Sequence, residues 1–251
     1  MTLLSVNVNK IALLRNSRGG ALPSVTKAAQ TAIDAGAQGI TVHPRPDGRH
    51  IRRQDVYDLA EMLTVEFNIE GNPTPSFLEL VEEVKPAQCT LVPDLPEALT
   101  SDHGWNLNED MNRLVPVIEG LKSLGIRVSL FMDPDEEQIR LAERTGADRI
   151  ELYTEAYARA FEGNEGAEGV APYTRAAEVA GELGLGVNAG HDLNLKNLGA
   201  FCQAVPNVLE VSIGHALIDD ALYNGLSNTV AAYVEVLRTV TAADSPARQH
   251  E

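Results

Sequence analysis

The feature that most constrains the fold is a regular alternation of short apolar, β-branched runs with longer amphipathic stretches. The sequence predicts eight strands, over residues 3–10, 39–43, 66–70, 88–93, 127–133, 149–154, 186–191 and 209–213. The amphipathic stretches between them predict helices, for example over 25–35, 55–63, 135–144 and 173–183. Alternation of this kind is typical of an α/β protein whose strands are parallel and joined by crossover helices.

The number of units favours a closed barrel over an open doubly wound sheet. An open sheet that binds a nucleotide carries a glycine-rich phosphate turn after its first strand, and residues 7–20 contain neither GxGxxG nor GxxxxGK[ST]. A length of 251 residues matches one (β/α)8 barrel. We therefore predict one TIM-barrel domain over 1–251, with 242–251 as a frayed tail.

Two polar connections depart from the short-loop pattern. The connection over 94–109 is long for an ordered loop, and such loops often serve as active-site lids, although a plain surface loop is the alternative. The stretch over 162–169 is rich in glycine and glutamate, and it predicts a solvent-exposed loop.

Charge and cysteine content narrow the classes of partner. The formal net charge of −16 disfavours binding to nucleic acid or to an anionic membrane. No basic region followed by a long apolar run opens the chain, so we expect neither a signal peptide nor a membrane span and predict a cytoplasmic protein. Cys89 and Cys202 are expected to be free and buried. Any phosphate ligand requires local positive groups, because the overall charge opposes it.

Ionisable and polar residues stand at the ends of several predicted strands. In a barrel these ends meet at one mouth, where the active site forms. Histidine transfers protons near neutral pH, and a desolvated carboxylate has a raised pKa and can act as a base. A structural histidine or a salt-bridged carboxylate is the alternative at each position taken alone. The strand-end set comprises Asn7, Asn9, Lys10, His43, Glu70, Glu151, His191, Gly214 and His215.

Two features indicate phosphate binding. Gly214 and His215 lie between the last strand and a helix, where backbone N–H groups and the helix dipole hold an anion. The first two strand-to-helix loops concentrate cationic residues, for which ordinary surface arginines are the alternative. These residues are Arg15, Arg18, Arg45, Arg49 and His50.

A metal-dependent barrel hydrolase is one enzyme class to weigh. Histidine and glutamate at strand ends would suit it, but strand 1 has no His-x-His and no aspartate ends strand 8. We therefore predict that no metal is required.

Five segments together resemble the pyridoxine 5′-phosphate synthase family. They are residues 7–19 (NVNKIALLRNSRG), 39–45 (GITVHPR), 49–51 (RHI), 187–191 (VNAGH) and 212–216 (SIGHA). The resemblance implies a closed barrel with additional helices, assembled as a homo-oligomer, commonly an octamer built from dimers. It also implies condensation of 1-deoxy-D-xylulose 5-phosphate with 3-amino-2-oxopropyl phosphate to pyridoxine 5′-phosphate, phosphate and water, without metal or organic cofactor.

The resemblance also implies residue roles. His43 and Glu70 match the family's proton acceptors, His191 its proton donor and Glu151 a carboxylate that stabilises the transition state. The residues that match substrate contacts fall into two groups. For the aminoketone phosphate or a phosphate group they are Asn7, Arg18, Gly214 and His215, and for deoxyxylulose phosphate they are Arg45, His50 and Thr100.

The chain departs from the family pattern at two places that the resemblance also assigns to substrate binding. Asn9-Lys10 replaces the Asp-His of many members, and Asp192 replaces a glycine. These departures keep open a related isomerase or aldolase that acts on another aminoketone or sugar phosphate, and a Schiff-base role for Lys10. A non-catalytic barrel that binds a phosphorylated metabolite is the remaining alternative.

Overall fold

The computed structural model describes residues 1–94, 101–163 and 166–243, and its eight strands form one closed parallel barrel in chain order. The strands are β1 Leu3–Asn7, β2 Gly39–Val42, β3 Glu66–Gly71, β4 Gln88–Leu91, β5 Arg127–Met132, β6 Arg149–Leu152, β7 Gly186–Gly190 and β8 Val208–Ile213. The predicted (β/α)8 barrel is confirmed.

Helices follow every strand, and additional ones follow β1, β6 and β8, as the resemblance implies. Those in the described residues are α1 Asn9–Asn16, α2 Val25–Asp34, α3 Arg53–Met62, α4 Pro75–Val84, α5 Leu107–Ser123, α6 Glu136–Arg144, α7 Glu155–Glu162, α8 Gly166–Glu182, α9 Leu198–Ala204, α10 His215–Asn224 and α11 Leu226–Ala243. None of them is long and apolar enough to cross a membrane.

The end of the first strand differs from the prediction. We expected a strand over 3–10, but β1 ends at Asn7, and Asn9 begins α1. The side chain of Asn7 turns the chain, because its Oδ1 accepts a hydrogen bond from the backbone N–H of Asn9 at 3.0 Å. Lys10 therefore projects from the first turn of a helix and not from a strand.

The prediction of a solvent-exposed loop over 162–169 is largely wrong. Helix α7 ends at Glu162 and α8 begins at Gly166, so the second half of the stretch is helical. The helix continues through Pro172 although proline removes a backbone hydrogen bond. Tyr173 follows it, is buried, and packs its ring 5.6 Å from that of Phe201. Tertiary packing thus outweighs the local preference.

Two other boundaries also shift. Ala242 and Ala243, predicted to lie in a frayed tail, are the last residues of α11, and 244–251 lie outside the described residues. In the connection over 94–109, residues 95–100 lie outside the described residues, and from Leu107 the chain is helical. The indole N–H of Trp105 donates to the backbone oxygen of Leu91 at 2.8 Å, which holds this part of the connection against the end of β4.

The interior of the barrel is polar. A chain of side-chain hydrogen bonds runs around it from Ser5 to Thr41, Asn68 and Thr90, with distances of 2.7, 3.4 and 3.1 Å. Glu210 on β8 accepts a hydrogen bond across the barrel from Gln88 on β4, at 3.3 Å. Such interiors are usually filled with branched apolar side chains, so this network is a finding that the sequence analysis did not predict.

The apolar residues of the strands face outward and pack under the helices. Examples are Leu4 and Val6 on β1 and Ile40 and Val42 on the neighbouring β2, all of them fully buried. Cys89 and Cys202 are free and buried, which confirms the prediction for them. The hydrophobic core therefore lies between sheet and helices, which leaves the lumen and the mouth to polar groups.

Candidate active site

A cavity of about 690 Å³ opens at the carboxyl ends of the strands. It gathers the predicted site residues from β1, β2, β3, β6, β7 and β8 and from their following loops. Those that line it are Asn7, Asn9, Lys10, His43, Arg45, Arg49, His50, Glu70, Glu151, His191, Asp192, Gly214 and His215.

Besides Arg15, which is described below, two predicted residues are not among these. Arg18 lies exposed in the turn after α1 and is not among the described lining residues of the cavity. Thr100 lies outside the described residues. Their assignment to substrate binding stays a prediction.

Side chains at the end of β1 and the start of α1 brace the rim. Asn9 Oδ1 accepts a hydrogen bond from the backbone N–H of His43 at 2.9 Å, so the start of α1 fixes the end of β2. Asn7 packs against Gly214, where an added Cβ would lie 3.1 Å from the Asn7 Cβ. The glycine at 214 is thus explained by the close approach of β1 to the N-terminus of α10.

Two neutral histidines lie side by side in the cavity. The His43 and His50 rings are 6.4 Å apart between centroids. Burial and then the charge of Arg45 lower the pKa of His43 well below its usual value. Burial and the charges of Arg45 and Lys10 lower the pKa of His50 to about 4. Both rings are therefore uncharged at neutral pH, and His43 is able to accept a proton.

Glu70 is a carboxyl group poised near neutrality. Burial raises its pKa to about 7, and the charges of Asp94 and Glu210 add to the rise, while His191 and Arg45 oppose it. A group with this pKa accepts and releases protons readily at pH 7.

Glu151 is a buried carboxyl group whose surroundings favour its neutral form. Burial raises its pKa well above the usual value, and the charges of Glu70 and Glu210 raise it further. Its Oε2 is buried and has no hydrogen-bond partner among the described residues. A neutral carboxyl in this position offers an O–H donor to a ligand.

The surroundings of His191 raise its pKa, whereas those of His43 and His50 lower theirs. Its Nδ1 lies 2.9 Å from Oδ2 of Asp192. Burial lowers its pKa, but the hydrogen bond and charge of Asp192, with Glu70 and Asp94, outweigh burial and leave the pKa raised. His191 thus retains a proton more readily than an ordinary histidine, whereas His43 holds one poorly.

Of the predicted phosphate-binding arginines, Arg45 lines the cavity and Arg15 does not. Arg15 is buried in a two-point ion pair with Asp55, and its guanidinium also donates to the His50 carbonyl at 3.2 Å. Its part in the cationic cluster was therefore predicted wrongly: Arg15 supports the loop that carries His50. Arg45 pairs with Asp94 at 2.6 Å, and its buried Nε has no partner among the described residues.

Sequence reasoning missed several residues of the site. Asp94 and Ser101 share a hydrogen bond of 2.6 Å beside Arg45, and Tyr153 packs its ring 5.9 Å from that of His191. Tyr153 directly follows β6, so the strand-end rule would have found it. Asp94 directly follows the strand predicted over 88–93, so the same rule would have found it, whereas its ion pair with Arg45 is known only from the fold.

The described residues contain no group of three or more His, Cys, Asp or Glu side chains placed to hold a metal ion. The positive charge at the mouth comes from Lys10, Arg45 and Arg49.

The raised pKa of Glu70 predicts how kcat/KM depends on pH. If Glu70 works as a base, only its ionised form is active, and that form declines below a pKa of about 7. We expect kcat/KM to rise about tenfold per pH unit below pH 7, and to stop rising once Glu70 is ionised; any fall at higher pH belongs to loss of the His191 proton. Initial rates from pH 5 to 8 would measure this, and a profile that is flat down to pH 5 would contradict the role.

Fold and site together define a (β/α)8-barrel enzyme whose mouth combines acid–base groups with cationic residues suited to small anionic substrates. Comparison with known families agrees. The family model described as pyridoxal phosphate biosynthesis protein PdxJ matches residues 4–239, and the chain belongs to this family.

Individual relatives agree with this membership. A pyridoxine 5′-phosphate synthase of Porphyromonas gingivalis is 56% identical over 94% of this chain and 99% of its own length. One from Bacteroides fragilis is 55% identical over 95% of this chain and its whole length. Among solved structures, phosphoribosyl anthranilate isomerase from Thermotoga maritima aligns over 95% of this chain and 100% of its own, with a TM-score of 0.60. At 11% identity, that likeness shows the barrel fold alone.

Proposed function

We propose that this chain catalyses the pyridoxine 5′-phosphate synthase reaction. It condenses 1-deoxy-D-xylulose 5-phosphate with 3-amino-2-oxopropyl phosphate and releases pyridoxine 5′-phosphate, phosphate and water. The observation that carries the proposal is one cavity lined by His43, Glu70 and His191, in which the pKa of His43 is lowered and the pKa values of Glu70 and His191 are raised. These shifts support proton acceptance by His43 and Glu70 and proton donation by His191. The family and its relatives make a related isomerase, an aldolase or a silent barrel the less favoured alternatives.

The chemistry explains why several acid–base groups converge. Imine formation, the eliminations and ring closure each move protons, and holding both substrates in one cavity makes the condensation effectively intramolecular. In our proposal His43 and Glu70 take protons from the condensing carbon skeleton and His191 returns one to a leaving oxygen. Glu151 donates a hydrogen bond to an oxygen that gains negative charge in the transition state.

Two zones of the cavity suit the two phosphate groups. After β8, Gly214 and His215 begin α10, and the helix dipole favours an anion there. After β2, Arg45 presents a buried Nε that has no partner within the described part of the chain, with Lys10 and His50 also in the lining. Asn7, Asn9, Arg18 and Thr100 complete the proposed contacts.

We further propose a homo-oligomer, as the resemblance implies, with an octamer as its expected size. Helices α1 and α10 pack together and leave large apolar side chains exposed, which favours contact between copies. These side chains are Leu13, Leu14, Leu222 and Tyr223. Light scattering of the purified 27.0 kDa chain would test this, and a monomer would contradict it.

Two further expectations remain proposals. We place the enzyme in the cytoplasm, as the sequence analysis predicts. We also propose that the 94–109 connection covers the bound substrates, which is supported by Ser101 in the lining of the cavity.

A genetic test addresses the function directly. The chain should restore growth without pyridoxine to a bacterial strain that lacks its own pyridoxine 5′-phosphate synthase. A Glu70→Gln variant present at the same soluble level should fail. If the strain that carries the wild-type chain also fails to grow, while an immunoblot verifies soluble chain, the proposal is contradicted.

A further inference from the structure

We propose that Asp192 is a positioning residue for His191, whose carboxylate holds the imidazole in one orientation and one tautomer. The inference deepens the proposed function, since it concerns the group to which that function assigns proton donation. It differs from the sequence-based expectation, which placed Asp192 among the substrate contacts.

The contact between the two side chains is direct. Nδ1 of His191 and Oδ2 of Asp192 lie 2.9 Å apart, with 35% and 26% of the two side chains exposed. An ionised carboxylate only accepts hydrogen bonds, so Nδ1 carries the proton of this bond. Proton exchange with a substrate is thereby assigned to Nε2.

The backbone on both sides of the pair is fixed. The backbone N–H of Asp192 donates to Thr154 Oγ1 at 3.2 Å, and Asn197 Nδ2 donates to the Asp192 carbonyl at 3.4 Å. The backbone N–H of His191 donates to the Ser212 carbonyl at 3.1 Å. Thr154 after β6 and Asn197 before α9 therefore hold the backbone of Asp192 in place. Ser212 on β8 does the same for the backbone of His191.

His191 also has an uncommon backbone conformation. Its φ is 36°, in the left-handed region that residues with a Cβ rarely adopt. The preceding Gly190 allows the turn, because a Cβ there would lie 2.1 Å from the Ser212 carbonyl oxygen. Strain of this kind persists where the surroundings over-determine it, and it is concentrated at functional sites. Here it directs the imidazole and the carboxylate toward each other.

Other charged groups also act on His191, and the role of Asp192 must be separated from theirs. Glu70 on β3 and Asp94 after β4 favour its protonated form, and His43 directly after β2 opposes it when charged. The Tyr153 ring at the end of β6 packs edge-on against the imidazole at 5.9 Å. Among these groups, Asp192 combines a negative charge with a hydrogen bond to Nδ1.

The test compares Asp192→Asn with wild type, using the two phosphate substrates of the proposed reaction. We expect kcat to fall on the order of 10- to 100-fold, the size found when an outer partner of a metal-bound histidine is removed. KM should stay within about threefold, since the carboxylate acts on His191 and not on substrate. Asp192→Glu should recover part of kcat, and Asp219→Asn, which removes an exposed carboxylate outside the cavity, should behave as wild type.

The pH profile gives a readout that a purely structural role would not move. A proton donor works below its pKa, so kcat falls as pH rises through the pKa of His191. Removal of the negative charge lowers that pKa, and the descending limb of Asp192→Asn should move to lower pH by about one unit or more. Titration of His191 by nitrogen-15 NMR should show the same shift in protein without substrate.

The outcomes separate the inference from the proposed function. A raised KM with an unmoved pH limb would make Asp192 a substrate ligand and overturn the inference, as would an unchanged kcat. If wild type makes no product while the NMR shift appears, the proposed function fails and the pairing stands.

Discussion

Glu70→Gln is expected to lower kcat by about 10²- to 10⁴-fold, the contribution typical of a positioned acid or base. Glutamine keeps the shape of the side chain but cannot accept a proton. Because the pKa of Glu70 is about 7, its neutral form is already well populated at pH 7, and a neutral amide should cost little stability. Steady-state rates at pH 7.5, with thermal unfolding measured in parallel, would test both parts.

The matched control for Glu70 is Glu61→Gln. Glu61 is exposed on α3 and takes no part in the cavity lining described above. It should retain the wild-type rate and pH profile. A fully active Glu70→Gln variant would remove Glu70 from the chemistry and transfer the proposed base role to His43 alone.

His191→Ala should produce a loss of similar size, about 10²- to 10⁴-fold in kcat. The substitution removes the cavity imidazole whose pKa is raised, and neither His43 nor His50 holds a proton well enough at pH 7 to replace it. Added imidazole should restore part of the rate if the missing function is proton donation.

Imidazole rescue distinguishes lost chemistry from a distorted loop. The control Lys196→Ala removes an exposed side chain from the same β7–α9 connection and should leave turnover unchanged. Full activity in His191→Ala, or a loss of activity in Lys196→Ala of the same size, would contradict the assigned role.

The sequence predicts the fold and most of the rim because both depend on local patterns. Strand and helix periodicity places eight units in order, and parallel strands bring their carboxyl ends together. His43, Glu70 and His191 could therefore be assigned to one mouth from the order of strands along the chain. The structure adds the observation that these three side chains line the same cavity.

What sequence reasoning could not supply depends on contacts between distant residues. Arg15 has the side-chain chemistry and the sequence position of a phosphate ligand. Its guanidinium is instead ion-paired with Asp55, 40 residues away in the chain. The start of α8 before Pro172 is decided by packing of Tyr173 against Phe201 and not by local preference. The pKa values of His43 and His191 diverge because burial and neighbouring charges differ.

The most direct test of the central claim is to mix the purified chain with both phosphorylated substrates and a chelator and to detect pyridoxine 5′-phosphate by mass. We predict one pyridoxine 5′-phosphate and one inorganic phosphate for each deoxyxylulose phosphate consumed. Neither substrate alone should give product, and the chelator should have no effect. A folded chain that binds either phosphate yet forms no pyridoxine 5′-phosphate would contradict the account and direct attention to Asn9, Lys10 and Asp192.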